Sequence, residues 1–205
     1  MTGAAPSGLS SEGSHAPLNA LLIGRFNSWK GQAILLHAIG QLPAELRANV
    51  RVRLVGSVFG DQQHFCDQLV KLIADCGLSE LVEMFPFACD PYQHYSWADV
   101  VVVTSTKPEP FGLVAIEAMA AGRAVIAANH GGLSEIVLDG VTGSLVVPGS
   151  VESLASTMAS YIRNPRRAAV EGSAGRERFA AEFEEKIYKL KITNLLAELC
   201  GPKFA

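Results

Sequence analysis

Short apolar runs alternate along the chain with longer segments whose apolar residues recur at helical spacing. The first run ends at Gly24 and is almost wholly apolar, a pattern typical of a parallel strand buried on both faces. The alternation predicts six strands that are separated by helices or helical turns. The predicted strands are residues 20–23, 50–55, 81–85, 100–104, 124–127 and 144–147.

The segments between these runs carry the helical pattern. In residues 29–42, the side chains of Ile34, Leu35, Ala38 and Ile39 form one apolar face. Because helical crossovers join consecutive strands, we expect an α/β fold: a doubly wound, Rossmann-like parallel sheet of about six strands with helices on both faces. The predicted helices are residues 29–42, 62–74, 113–121, 133–138, 151–163, 166–179 and 183–199, with one helical turn at 91–95.

This architecture predicts one domain and the edge at which it binds ligands. Residues 18–200 form the predicted domain, and residues 1–17, rich in Ser, Gly, Ala and Pro, are predicted to be a flexible leader or linker. Ligands of doubly wound sheets bind beyond the carboxyl ends of the strands, near the point where the strand order reverses. We therefore expect functional residues directly after the strands.

Composition excludes several classes of function. The 205 residues are 49% hydrophobic and 18% charged, and the net charge of −3 does not favour binding to nucleic acid. The four cysteines lie far apart and form no C-x-x-C motif, which predicts free thiols and no metal site. No apolar run is long enough to be a transmembrane segment, and the start lacks the pattern of a secretory signal. We expect a cytoplasmic protein.

The segment 107–117 carries the strongest candidate chemistry. Pro108 and Pro110 restrict the loop, and Gly112 allows the backbone to approach a ligand at the start of the following helix. The free N–H groups of a helix N-terminus attract anions, above all phosphate. Glu117 falls within a run so apolar that we expect the helix to be largely buried. Its carboxylate would then need a hydrogen-bonding partner, which a pair of sugar hydroxyls would supply.

Glu109 and Glu117 have seven residues between them, around Pro-Phe-Gly, and residues 24–31 have the sequence Gly-Arg-Phe-Asn-Ser-Trp-Lys-Gly. Residues 131–137 contain Gly-Gly-Leu-Ser-Glu-Ile-Val, and residues 139–148 begin Asp-Gly-Val-Thr-Gly and end Val-Pro. These four segments resemble motifs of the family 4 retaining glycosyltransferases of the GT-B fold. Residues 109–117 resemble its E-x7-E motif, and residues 24–31 resemble its G-R-x-x-x-x-K-G motif. Residues 131–137 resemble G-G-x-x-E-x-V, and residues 139–148 resemble D-G-x-T-G-x-L-V-x-P.

The resemblance covers roughly residues 18–198 and implies the donor-binding domain of a glycosyltransferase of hexosyltransferase type. It implies that Glu109, the catalytic residue, faces the donor sugar, and that Glu117 binds the ribose hydroxyls of the donor nucleotide. The substrate would be a UDP-, GDP- or ADP-sugar, with no cofactor. The other donor-binding residues that the resemblance implies are Gly24, Arg25, Lys30, Gly56, Phe87, Phe111, Gly112 and Leu113.

The same resemblance implies catalysis without a metal ion. Arg25, Lys30 and the backbone N–H groups of residues 111–113 would neutralise the diphosphate. The sequence agrees, since it contains no D-x-D motif. In one place it departs from the family: Pro86 stands where glycine is usual, which removes an amide donor from the region around Phe87 that is expected to contact the base.

Members of this family have two domains, and this chain resembles only the C-terminal one. The acceptor pocket is therefore expected on an N-terminal domain or on a separate chain, and the isolated chain is expected to be inactive. Attachment to a membrane surface through that missing half is an alternative to a purely cytoplasmic location.

Other interpretations stay open at this stage. The chain could be a nucleotide-sugar binding module without turnover. A dinucleotide-dependent oxidoreductase is disfavoured because no G-x-G-x-x-G follows the first predicted strand. A glycosidase that uses Glu109 and Glu117 as its acid and base is a further, weaker interpretation. Arg25 and Lys30 could be solvated surface charges, and Gly131–Gly132 could be either an anion-binding turn or a plain connection.

Overall fold

A computed structural model describes residues 16–58, 60–87 and 90–200, and these residues form a six-stranded sheet. Most of the predicted leader, residues 1–17, lies outside the described residues. Each strand begins and ends within two residues of the apolar run that predicted it. The strands are β1 (Leu18–Ile23), β2 (Val50–Val55), β3 (Val82–Phe85), β4 (Val100–Val103), β5 (Ala124–Ala128) and β6 (Gly143–Val146).

All six strands run parallel, in the order β3-β2-β1-β4-β5-β6. β1 pairs with β2 in a register that places Leu18 opposite Val50 and Ile23 opposite Val55, and it pairs with β4 on its other side. The strand order therefore reverses between β1 and β4, and the carboxyl ends of these two strands form the switch point. The predicted fold class is confirmed.

The helices connect successive strands. α1 begins at Gln32 rather than at the predicted residue 29, because Asn27 Oδ1 accepts the backbone N–H groups of Trp29 (3.1 Å) and Lys30 (2.9 Å) and holds them in a turn. The helix α2 was not predicted, and a short 3₁₀ turn precedes α3. In the described residues the helices are α1 (Gln32–Gly40), α2 (Ala44–Arg47), α3 (Gln63–Asp75), α4 (Tyr92–Trp97), α5 (Leu113–Ala120), α6 (Leu133–Ile136), α7 (Val151–Arg163), α8 (Pro165–Glu182) and α9 (Glu185–Cys200).

The sheet divides the apolar core into two clusters, because its central strands are apolar on both faces. Leu22 and Val102 face one cluster, with residues of α1, α3 and α7. Leu21 and Val101 face the other cluster, with residues of α4, α5 and α6. Successive residues of a strand point to opposite faces, which explains the continuous apolar runs in the sequence. The packed sheet fixes the carboxyl ends of β1 and β4, and the loops that carry predicted site residues start at these ends.

None of the helices in the described parts of the chain combines the length and the apolarity needed to cross a membrane.

Candidate functional site

The loops that follow β1 and β4 meet at the switch point through an ion pair. Lys30 Nζ lies 2.5 Å from Glu109 Oε1, and Ser105 Oγ donates a hydrogen bond to the same oxygen at 2.5 Å. Glu109 is only 9% exposed, and Ser105 is fully buried. A carboxylate with so little solvent requires partners, and these two donors supply them. The structure therefore brings together Lys30 and Glu109, as expected from the sequence.

The loop that carries Arg25 and Lys30 is held in place by the rest of the domain. Gln32 Nε2 donates to the Arg25 carbonyl oxygen at 2.8 Å, and the Trp29 carbonyl oxygen accepts the backbone N–H of Thr106 at 2.7 Å. The Lys30 ammonium also lies 4.6 Å from the centre of a Trp29 ring, a cation–π contact. The Lys30 ammonium is thus oriented within the chain itself.

The Gly131–Gly132 turn supports the Glu109 loop from the other side. The Gly132 N–H donates to the Glu109 carbonyl oxygen at 2.8 Å. Gly131 has φ of +57°, and a Cβ at this position would lie 2.5 Å from the same carbonyl oxygen. His130 Nε2 lies 2.8 Å from the Ser105 carbonyl oxygen. These contacts make the turn a support for the Glu109 loop, and a role in anion binding stays a prediction.

A cavity of about 390 Å³ lies where α5 begins, beside the ion pair. Gly112 precedes α5 with φ of +95°, and its neighbours Phe111 and Leu113 are 47% and 62% exposed. The first N–H groups of a helix have no partner within it, and they carry the positive end of the helix dipole. The cavity therefore combines an ammonium, a carboxylate and the start of a helix, which is a kind of backbone that can bind anions. Its lining residues are Lys30, Val103, Glu109, Pro110, Phe111, Gly112, Leu113 and Val114.

Glu117 lies on the exposed face of α5, although its apolar sequence neighbours suggested burial. Tyr95 Oη donates a hydrogen bond to Glu117 Oε2 at 2.6 Å, and Tyr95 is only 3% exposed. Burial, followed by the hydrogen bond to Glu117 and the charge of that carboxylate, raises the pKa of Tyr95. The phenol therefore stays protonated and acts as the donor. The chain itself thus supplies one hydrogen-bonding partner for Glu117.

The positive charge at this site comes from side chains and from a helix N-terminus. Among residues 16–58, 60–87 and 90–200, no cluster of three or more His, Cys, Asp or Glu side chains is arranged to hold a metal ion. Lys30 and the N-terminus of α5 supply positive charge, and Arg25 is exposed on the loop after β1. The arrangement is suited to a ligand that carries a multivalent anion next to a neutral group with hydroxyls.

Comparison with known proteins assigns the domain to a family. The family described as glycosyl transferases group 1 matches residues 14–178. The chain belongs to the group 1 glycosyl transferases.

Three similar proteins show how much of a group 1 glycosyl transferase this chain represents. D-inositol 3-phosphate glycosyltransferase of Frankia alni is 38% identical over 162 residues, which are 76% of this chain and 40% of that protein. The crystal structure of Anabaena HepE in complex with UDP has a TM-score of 0.82 and 32% identity, covering 89% of this chain and 49% of HepE. The crystal structure of the C-terminal domain of LpcC, a group 1 protein of Francisella tularensis, has a TM-score of 0.72 and 26% identity, covering 83% of this chain and 89% of that domain. The chain thus spans two fifths of the Frankia relative and about half of HepE.

The remaining predicted site residues of this glycosyl transferase domain lie at the carboxyl ends of β1 to β3. The Gly24 N–H donates to the Val55 carbonyl oxygen at 2.9 Å, and a Cβ at Gly56 would lie 2.0 Å from the Gly24 carbonyl oxygen. Gly56 is therefore required for close packing of two strand ends, and direct ligand contact stays a prediction. Phe87 is 58% exposed, and its N–H donates to Ser57 Oγ at 3.3 Å. Its role in base recognition also stays a prediction.

Sequence reasoning missed three side chains that hold the predicted site residues in place. Ser105 binds Glu109, Tyr95 binds Glu117, and Gln32 binds the backbone of Arg25. Ser105 follows a buried strand, which could have suggested a buried polar partner. The spacing of Tyr95 and Glu117 in the sequence carries no comparable signal, because the two residues belong to different helices.

Proposed function

We propose that this chain is the donor-binding half of a retaining glycosyltransferase, which moves a sugar from a nucleoside diphosphate sugar to an acceptor without a metal ion. The observation that carries the proposal is the position of the Lys30–Glu109 ion pair beside the N-terminus of α5. One cavity then offers positive charge to a diphosphate and a carboxylate to the sugar attached to it.

The positive charge of the site would stabilise the leaving group, a nucleoside diphosphate. When the bond between the sugar and the β-phosphate breaks, negative charge develops on the phosphate oxygens. Lys30 can stabilise this negative charge as a point charge, and the backbone N–H groups of residues 111–113 can stabilise it as oriented dipoles. Arg25 supplies a forked donor on the same loop. These groups take the place that a metal ion occupies in other transferases.

The two glutamates have different roles in this proposal. Lys30 and Ser105 both donate to Oε1 of Glu109, so we infer that a hydroxyl of the donor sugar would use Oε2. Glu117 lies further along α5 and would accept hydrogen bonds from the ribose hydroxyls. HepE was crystallised with UDP and with UDP-glucose, which favours a uridine nucleotide as the first ligand to test here.

The share of its relatives that the chain covers supports the proposal that donor and acceptor bind to different domains. Because the chain spans 40% of the Frankia relative, we infer that the acceptor pocket belongs to a further domain or chain. The isolated chain should then bind the donor without transferring its sugar. A nucleotide-sugar binding module without turnover is the alternative, and restoring an acceptor domain distinguishes the two, since only the first gains transfer activity.

Calorimetry with UDP, GDP and ADP in the presence of EDTA tests the proposal. We expect saturable binding of at least one of them, and weaker binding by Lys30→Ala. The matched control is Lys71→Ala, which removes an exposed lysine paired with Asp75 on α3 and should leave affinity unchanged. A folded protein that binds none of the three nucleotides would overturn the proposal.

A further inference from the structure

Glu117 has a hydrogen-bond donor of its own within the chain. Tyr95, on α4, donates its hydroxyl proton to Glu117 Oε2, and the two oxygens are 2.6 Å apart. Tyr95 is 3% exposed and belongs to the core cluster on the α5 side of the sheet, whereas Glu117 is exposed. The donor is therefore fixed by the core, and the acceptor is a long side chain at the surface.

This hydrogen bond restrains the orientation of the Glu117 carboxylate. An exposed glutamate on a helix samples several rotamers, and a ligand that uses its carboxylate must stop this motion at a cost in entropy. The Tyr95 hydroxyl, a neutral donor on a buried ring, restricts the rotamers of Glu117 before a ligand binds. Because Tyr95 occupies one lone pair of Oε2, Oε1 and the other lone pair of Oε2 are left for a ligand.

The carboxylate also borders open space. A cavity of about 340 Å³ lies between α4 and α5, and Tyr95, Glu117, Pro91 and Ala121 are among the residues that line it. A ligand with hydroxyl groups can therefore approach Glu117 without displacing residues of the core.

We propose that Tyr95 is a positioning residue for Glu117, and that the pair selects a ribose with both hydroxyls over a deoxyribose. This inference rests on the proposed function, in which Glu117 binds the ribose of a nucleoside diphosphate. A carboxylate only accepts hydrogen bonds, so each ribose hydroxyl that donates adds to binding, and each one removed weakens it. If Tyr95 merely joined α4 to α5, the loss of its hydroxyl would affect every ligand alike.

Calorimetry with UDP and 2′-deoxyUDP on wild type and Tyr95→Phe separates these roles, because phenylalanine keeps the ring and its packing. We expect Tyr95→Phe to weaken UDP by about three- to tenfold, as for the loss of one hydrogen bond, and 2′-deoxyUDP by less than about twofold. In a Glu117→Ala background, where the acceptor is absent, Tyr95→Phe should change neither affinity further.

Tyr161→Phe is the matched control. Tyr161 is fully buried and donates a hydrogen bond to Glu171, but it belongs to the core cluster on the other face of the sheet. Loss of the Tyr161 hydroxyl also removes a tyrosine–glutamate hydrogen bond, here one whose carboxylate is buried. We expect Tyr161→Phe to lower the unfolding temperature and to leave the affinities for UDP and 2′-deoxyUDP unchanged.

Each outcome decides a different claim. Equal weakening of UDP and 2′-deoxyUDP by Tyr95→Phe, or no weakening, overturns the positioning role and leaves nucleotide binding in place. A wild-type protein that binds neither UDP, GDP nor ADP overturns the proposed function together with this inference. If Tyr95→Phe does not fold, Glu117→Asp takes its place. The shorter side chain cannot reach Tyr95 and the ribose together, so retention of the preference for UDP over 2′-deoxyUDP would overturn the inference.

Discussion

Lys30 and Glu109, 79 residues apart in the sequence, form an ion pair of 2.5 Å that joins the loops after β1 and β4. Their side chains are 17% and 11% exposed, so the pair is far less screened than a surface salt bridge. In the structure described here Glu109 neutralises the ammonium, and a bound diphosphate would compete with Glu109 for it. The ion pair thus links the nucleotide side of the proposed site to its sugar side.

Removing Lys30 should destabilise the domain. Lys30→Met leaves the Glu109 carboxylate with Ser105 but without its counter-charge, and the free energy of unfolding should fall by about 1–3 kcal/mol. Urea denaturation at neutral pH measures this change. Lys71→Met removes one partner of an exposed pair with Asp75 and should cost less than about 0.5 kcal/mol. If the free energy of unfolding falls by less than about 0.5 kcal/mol in both variants, the Lys30–Glu109 ion pair does not stabilise the domain.

The support of the Glu109 loop can be tested through two glycines with similar backbone conformations. Gly131 has φ of +57° and Gly140 has φ of +70°, but a Cβ at Gly131 would lie 2.5 Å from the Glu109 carbonyl oxygen, and a Cβ at Gly140 would meet nothing within 4 Å. Gly140→Ala should therefore cost only the strain of a positive φ, about 1–2 kcal/mol.

Gly131→Ala should cost more than Gly140→Ala in thermal or urea unfolding, because the Glu109 loop must also move. Since a displaced loop misplaces the carboxylate and the N-terminus of α5, affinity for a nucleoside diphosphate sugar should fall by about tenfold or more. Gly140→Ala should leave that affinity unchanged. Equal affinity in the two variants would show that the turn does not support the site.

His94 should make stability depend on pH. It is 4% exposed, its ring lies 5.1 Å from that of Phe85, and its Nδ1 has no hydrogen-bond partner among the described residues. Burial, and then the positive charge of Arg53, lower the pKa of His94 below its usual 6.5. Since the unfolded chain binds the proton more readily, stability should fall as the pH drops below about 6.5 and level off beneath the folded-state pKa.

The midpoint of thermal unfolding between about pH 7.5 and pH 5 measures this effect. His94→Leu removes the titration, so its midpoint should fall less over this range than that of wild type. His37→Gln, an exposed position on α1, should keep the wild-type dependence. If His94→Leu retains the full dependence, other groups are responsible for it.

The sheet could be predicted from the sequence because its signal is local. An apolar run buried on both faces, such as Val100–Val103, is visible without knowledge of its neighbours. The rule that ligands bind beyond the carboxyl ends of parallel strands then placed Lys30 and Glu109 at one edge. The hydrogen bonds from Ser105 and Tyr95 could not be predicted, because they depend on how an irregular loop closes and on how α4 packs against α5.

The prediction that Glu117 is buried was wrong, and the faces of α5 explain why. Leu113 and Glu117 are four residues apart, so they lie on the same face of α5, and Leu113 is itself 62% exposed. An exposed leucine made the outer face look apolar in the sequence. The helix buries Ala115, Ile116, Ala118 and Met119 instead.

The separate roles of the two glutamates are tested most directly by four dissociation constants, for Glu109→Gln and Glu117→Ala, each with UDP and UDP-glucose, compared with wild type. Glu109→Gln should bind UDP at least as tightly as wild type, because UDP has no sugar to lose and Lys30 is released from its ion pair, but it should bind UDP-glucose more weakly. Glu117→Ala should weaken both ligands alike, by about 1–3 kcal/mol. If Glu109→Gln weakens both ligands equally, or neither, Glu109 does not face the donor sugar.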